Sequence, residues 1–193
     1  IGTVYTSQAF INTRRFDKSL YWIDRTEMLL GKYRQKPDAR VEDFDEYQGR
    51  IEIMRAVARQ GLGQAEEAAQ AYKAFCNTDY SKTSRGRIEA NEYLLAAKRY
   101  REAADNYCYL DQMLAEHAMV FSLDNVQLYM LPKLRANIGA QRIDSVVAIS
   151  GQLCQVIDSA ITISKSDDAA ELATIYDTQQ KESEIARQQA DLS

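Results

Sequence analysis

The sequence predicts an all-α protein made of paired antiparallel helices and closed by one polar helix. Three observations carry that prediction. Among 193 residues there are only 2 prolines and 8 glycines, set against abundant Ala, Leu, Glu, Gln and Arg, all good helix formers. The runs of Val/Ile/Thr alternation that strands need are missing. A helix, a short polar break and a second helix recur four times along the chain. The length suits one domain, since single cores usually hold roughly 100 to 200 residues.

Helix begins at once, in IGTVYTSQAF. The second helices of the four pairs are expected to start at Phe16 (FDKSLYWIDRT), Ala65 (AEEAAQAYKAF), Tyr100 (YREAADNYCYL) and Ile143 (IDSVVAISGQL). Aligned on those residues, the next small or apolar position is Ser19, Ala68, Ala103 and Val146, then Ile23, Tyr72, Tyr107 and Ser150, then Thr26, Phe75, Leu110 and Leu153. These offsets stay on one helix face. Between pairs, GKYRQKPDARVED offers Gly31, Pro37 and Asp38 to end one helix and start another. CNTDYSKTSRG and SLDN supply two further loops. Pro132, inside VQLYMLPKLRANIGA, is expected in a first turn or at a kink.

A small residue followed by larger apolar or aromatic ones suits a tight antiparallel pair: the small side chain lets two backbones approach and the larger ones fill the gap to the next pair. GLGQAEEAAQAYKAF and KRYREAADNYCYL thereby resemble the tetratricopeptide repeat, with its Gly-containing turn, aromatic, Ala and later aromatic. The resemblance implies a helical-hairpin solenoid. Ser19 and Val146 stand where Ala is usual, as suits terminal copies, and the first and third intervals exceed the usual repeat of about 34 residues.

Several function classes find no support. A net charge of -4 without a sustained basic stripe argues against nucleic-acid binding. Cys76, Cys108 and Cys154 are odd in number, widely spaced and without CxxC, so no metal site is expected and burial among helices is the expected role. No apolar run approaches the roughly 20 residues of a membrane span, and the opening Ile suggests a piece whose targeting and anchoring segments lie elsewhere. His117 has no nucleophile or triad to serve. Adjacent Glu66 and Glu67 point about 100° apart, toward solvent rather than toward a shared substrate. Ser166 with Asp167 and Asp168 reads as a helix start. No GxxxxGK or GxGxxG loop is present, so no cofactor is expected. Of the 12 tyrosines, Tyr72, Tyr100 and Tyr107 fall on packing offsets.

Stacked helix pairs present a curved surface formed by the first helix of each pair, open to a peptide or another protein. Arg50, Gln60, Arg85, Glu92 and Arg135 are the expected lining residues. In the closing helix Leu172, Ile175, Tyr176, Ile185, Ala186 and Leu192 form a broken stripe, interrupted by Gln179, Ser183 and Gln189. Such a seam supports weak, rearrangeable pairing and hence a homodimer through this helix.

NEYLLAAKRY, LDNVQLYMLPKLRANIGA and DDAAELATIYDTQQKESEIARQQADLS are similar to the extracytoplasmic tetratricopeptide sensor regions of membrane-bound two-component histidine kinases of Bacteroides-type bacteria. The similarity runs from about Asp43 onward. It implies a periplasmic, non-catalytic sensing segment, residues 1–170, followed by a signalling helix, 171–193, that leads to a membrane span outside the chain and on to a cytoplasmic kinase. Neither a phosphoacceptor helix nor an ATP-binding module is present, so His117 inherits no phosphoaccepting role. The rival reading is a cytoplasmic scaffold that holds a partner's peptide segment.

Overall fold

The structure, a computed structural model, describes residues 2–40, 42–114 and 125–191. Among them the chain is all-α, and no residue is in a strand. The helices are α1 (Gly2–Asn12), α2 (Phe16–Arg34), α3 (Glu42–Gly61), α4 (Ala65–Cys76), α5 (Ser84–Ala96), α6 (Tyr100–Leu114), α7 (Leu131–Gly139) and α8 (Ile143–Asp191). A short 3-10 turn, Tyr80–Lys82, precedes α5, and a π-helical turn, Val126–Met130, leads into α7. The four second helices start at Phe16, Ala65, Tyr100 and Ile143, as the repeated offsets predict.

All four hairpins close with the same turn. The residue two before each second helix is left-handed: Arg14 (φ 55°), Gly63 (77°), Lys98 (57°) and Gln141 (59°). The next residue donates its backbone N–H five positions back, Arg15 to Phe10 at 2.8 Å, Gln64 to Arg59 at 2.9 Å, Arg99 to Leu94 at 2.8 Å and Arg142 to Asn137 at 3.0 Å. This is the Schellman closure, which satisfies carbonyls that the first helix would leave free. Only Gly63 reaches this conformation without a steric cost.

Each hairpin then packs on the next. α1 touches α3, α3 touches α5 and α5 touches α7, while α2 lies on α3 and α6 on α7. The small-then-large pattern explains the closeness: Ser19, Ala68 and Ala103 are completely buried, as are Ile23 and Leu110 one or two turns along. Two glycines meet aromatic rings that begin a preceding second helix. A Cβ on Gly61 would stand 2.3 Å from the Phe16 ring, and one on Gly139 would stand 2.2 Å from Tyr100. The longer link between α4 and α5 is tied down by Asp45, whose carboxylate accepts the N–H groups of Asp79 at 3.0 Å and Tyr80 at 2.6 Å. Thr83 caps α5 by accepting the Gly86 N–H at 3.0 Å.

Pro132 sits in the first turn of α7. Its ring clashes with an ordinary carbonyl four residues back and it offers no N–H. The wider π turn just before it, where Leu131 N–H donates to the Val126 carbonyl, accommodates both consequences.

Three expectations need correction. Ser166, Asp167 and Asp168 do not start a helix: α8 runs unbroken from Ile143 to Asp191. Without proline in this stretch, propagating an existing helix is far easier than nucleating a new one, and the SKSDD polar run leaves no break. Cys76, Cys108 and Cys154 are exposed rather than buried: each follows a packing position, Phe75, Tyr107 or Leu153, by one residue and so points about 100° away from that face. Finally, Ile143–Thr162 reaches the length and composition of a membrane span at its lower bound, with a mean hydropathy of 1.2. Asp144, Asp158 and scattered Ser and Gln are spaced among its apolar residues, so its apolar character shows in the average over the segment and not as a continuous run.

Among the described side chains of α8, only those in its first part are packed. Ile149 and Val156 are buried, Val156 within a small cluster formed with Val126 and Met130, against which Leu131 and Leu153 also pack. From 170 to 181 every side chain is exposed.

Candidate functional site

The first helices of the four hairpins line one open groove of about 960 Å³. On α3 the lining residues are Arg50, Ile53, Met54, Val57 and Gly61, and on α5 they are Arg85, Ile88, Glu89, Asn91, Glu92, Leu95 and Ala96. Both sets follow i+3/i+4 spacing, a single helix stripe. α1 contributes Tyr5, Gln8, Ile11 and Asn12, and the π turn with α7 contributes Leu128, Pro132 and Arg135. Arg14 and Phe16 stand at one edge, in the first hairpin turn.

Four of the residues expected from sequence are thus brought together: Arg50, Arg85, Glu92 and Arg135. Gln60 does not line the groove. It stands at the very edge of the stripe, about 20° beyond Ile53, and its carbonyl accepts the Gly63 N–H in the turn at 3.1 Å. Glu89, Arg14, Tyr5 and the apolar wall residues are not among those expected from sequence. Extending the i+3/i+4 stripe from Arg50 and Arg85 would have found Ile53, Met54, Val57, Ile88 and Glu89.

The groove's charges are unevenly compensated. Arg50 is buried, 7% exposed, and its guanidinium has no hydrogen bond among the described residues. Its closest carboxylate oxygens are Glu89 Oε1, 3.6 Å from Nε, and Glu46 Oε1, 3.9 Å from Nη1. Both lie beyond hydrogen-bonding distance. Arg85, more than half exposed, shares the same Glu89 oxygen at 3.5 Å. The Tyr80 phenol has its pKa pushed well up, first by burial and then by the nearby Glu89 charge. Glu92 faces solvent in the groove but is surrounded by its walls. Burial raises its carboxyl pKa, Glu89 raises it further, and Arg14 offsets part of the rise. Arg135 is exposed and forms no ion pair among the described residues.

On the tail, Leu172, Ile175 and Tyr176 are exposed on α8. Ile185 and Ala186 belong to the α8 backbone, but their side chains, all of Leu192 and all of His117 lie outside the described residues. No set of three or more His, Cys, Asp or Glu side chains suited to a metal occurs among the described residues. Compared with protein-family models, curated proteins and solved structures, the chain matches none.

Proposed function

We propose that this chain is the non-catalytic sensory module of a membrane-bound two-component histidine kinase, placed outside the cytoplasm, and that occupancy of the groove is passed along α8. The carrying observation is a mechanical connection. The π turn and α7 place Leu128, Pro132 and Arg135 in the groove wall, α8 packs on α7 and the π turn, and the same α8 continues into the exposed tail. A ligand that favours one placement of α7 therefore biases the direction of a helix with no proline to absorb the change. The likeness of the last third of the chain to histidine-kinase sensor regions supports the same reading.

The test uses the full gene product. Inserting four residues after Gln180 is expected to abolish the response to stimulus while leaving the melting of the hairpins unchanged, and an unaltered response would count against the lever. A scaffold holding a peptide is the second reading, favoured by the groove taken alone. The coding sequence after Ser193 separates the two: about 20 apolar residues favour the sensor, and a stop codon or a soluble domain favours the scaffold.

A further inference from the structure

The groove carries a charge opposite to that of the protein. Its described lining holds four arginines, Arg14, Arg50, Arg85 and Arg135, against two glutamates, Glu89 and Glu92, while the chain as a whole has a net charge of -4. Within it, Arg50 is more than nine-tenths buried and lacks any hydrogen bond among the described residues, with both neighbouring carboxylates just out of reach. A buried guanidinium in that state is costly, and it gains most from a carboxylate able to accept two of its N–H groups. Arg85 shares Glu89 loosely and is free enough in solvent to turn toward a second carboxylate.

Shape narrows the ligand. The groove crosses four neighbouring helices, and helix axes pack about 8 to 10 Å apart, so it runs for roughly 30 Å. An extended strand of about nine residues covers that distance at about 3.3 Å per residue. Ile53, Met54, Val57, Ile88 and Leu95 give apolar footholds between the arginines.

We propose that the groove binds an extended acidic peptide segment with interspersed apolar side chains, its carboxylates taken by Arg50 and Arg85 in the middle and by Arg14 and Arg135 toward the ends. This deepens the functional reading given above, on which it rests, by naming the ligand class. Glu89 is then the internal stand-in that the incoming carboxylate displaces from the two central arginines.

The experiment uses fluorescence anisotropy with the whole chain and three labelled nonapeptides with blocked termini. One alternates Leu with Asp and Glu, one carries Asn and Gln in place of the acids, and one carries Lys. The acidic probe is expected to bind at least about tenfold tighter than the amide probe, the Lys probe weakest, and the preference to shrink as salt is raised. Arg14→Gln with Arg135→Gln, both at exposed positions, is expected to weaken the acidic probe about tenfold without changing the melting curve, since one exposed ion pair is worth up to about fivefold. An amide or Lys probe that binds as tightly as the acidic one overturns the acidic preference and leaves the groove a binding site. Acidic binding indifferent to the double variant overturns the assignment of these arginines. Failure of all three probes to bind the folded chain overturns both the ligand class and the groove's role.

Discussion

At Lys98 the chain adopts a left-handed conformation that costs a residue with a Cβ about 1 kcal/mol, and Arg14 and Gln141 carry the same cost. Lys98→Gly is therefore expected to stabilise the protein by about 0.5 to 1 kcal/mol, and Gly63→Ala to destabilise it by about 1 kcal/mol, both read from urea melts. Both effects arise in the backbone, with side-chain packing unchanged. Gly61→Ala belongs to another class: its Cβ would press into the Phe16 ring at 2.3 Å, for an expected loss of about 1 to 3 kcal/mol. Glu92 offers a pH signature. Its carboxyl pKa is raised in the fold by burial and by Glu89, so the native state binds the proton more readily than the unfolded chain. The penalty is full above the folded pKa and fades as pH falls through it toward the unfolded value of about 4.3. Glu92→Gln should then raise the melting temperature at pH 7, with the difference gone near pH 4. The small-then-large offsets are legible in the sequence because burial acts on each residue's size. The left-handed turns are not, since three of the four use Arg, Lys or Gln and only Gly63 advertises itself.

Among the elements, α8 divides most clearly into two kinds of helix. Ile149 and Val156 are buried at its beginning, Val156 against Val126 and Met130 of the π turn, whereas Leu172, Ile175 and Tyr176 face solvent. Ile149→Ala is expected to cost about 2 to 3 kcal/mol. Leu172→Ala and Ile175→Ala should leave stability within about 0.5 kcal/mol, as surface substitutions do. Equal losses at the two places, measured by denaturant melts, would contradict the described packing. The polar character of the tail is legible in the sequence, but its beginning is not. Ser166, Asp167 and Asp168 are residues that favour helix starts in isolation, yet a helix already nucleated and packed upstream runs through them. The exposed cysteines mislead for a different reason: Cys is small and apolar, which suggests burial, yet each stands one residue past a packing offset, about 100° around the helix from it.

Across the whole molecule, four turns of one design set four hairpins side by side, so the first helices collect their outward stripes into a single groove. A polar tie secures the first two hairpins: Arg55 on α3 reaches Glu27 at 2.7 Å and Asp24 at 3.4 Å on α2, and holds Glu52 at 3.2 Å on its own helix. Arg55→Met is expected to cost about 2 kcal/mol, because largely buried Glu52 loses its cation. Much of this architecture can be read from sequence, since repetition at matched offsets specifies both where helices turn and which faces meet. The site is legible only in part. Arg50, Arg85, Glu92 and Arg135 stand out as polar residues on first helices, whereas the role of Glu89 depends on α3 and α5 lying side by side.

The central claim is that one helix is both the last wall of the hairpin array and a free rod beyond it. Backbone chemical shifts combined with amide exchange on the isolated chain test it most directly. Helical shifts should continue without interruption across Ser166–Asp168, with slow exchange around Ile149 to Val156 and fast exchange from Leu172 onward. A break in helical shifts at Ser166, or protection beyond Leu172 equal to that of the hairpin core, would contradict it.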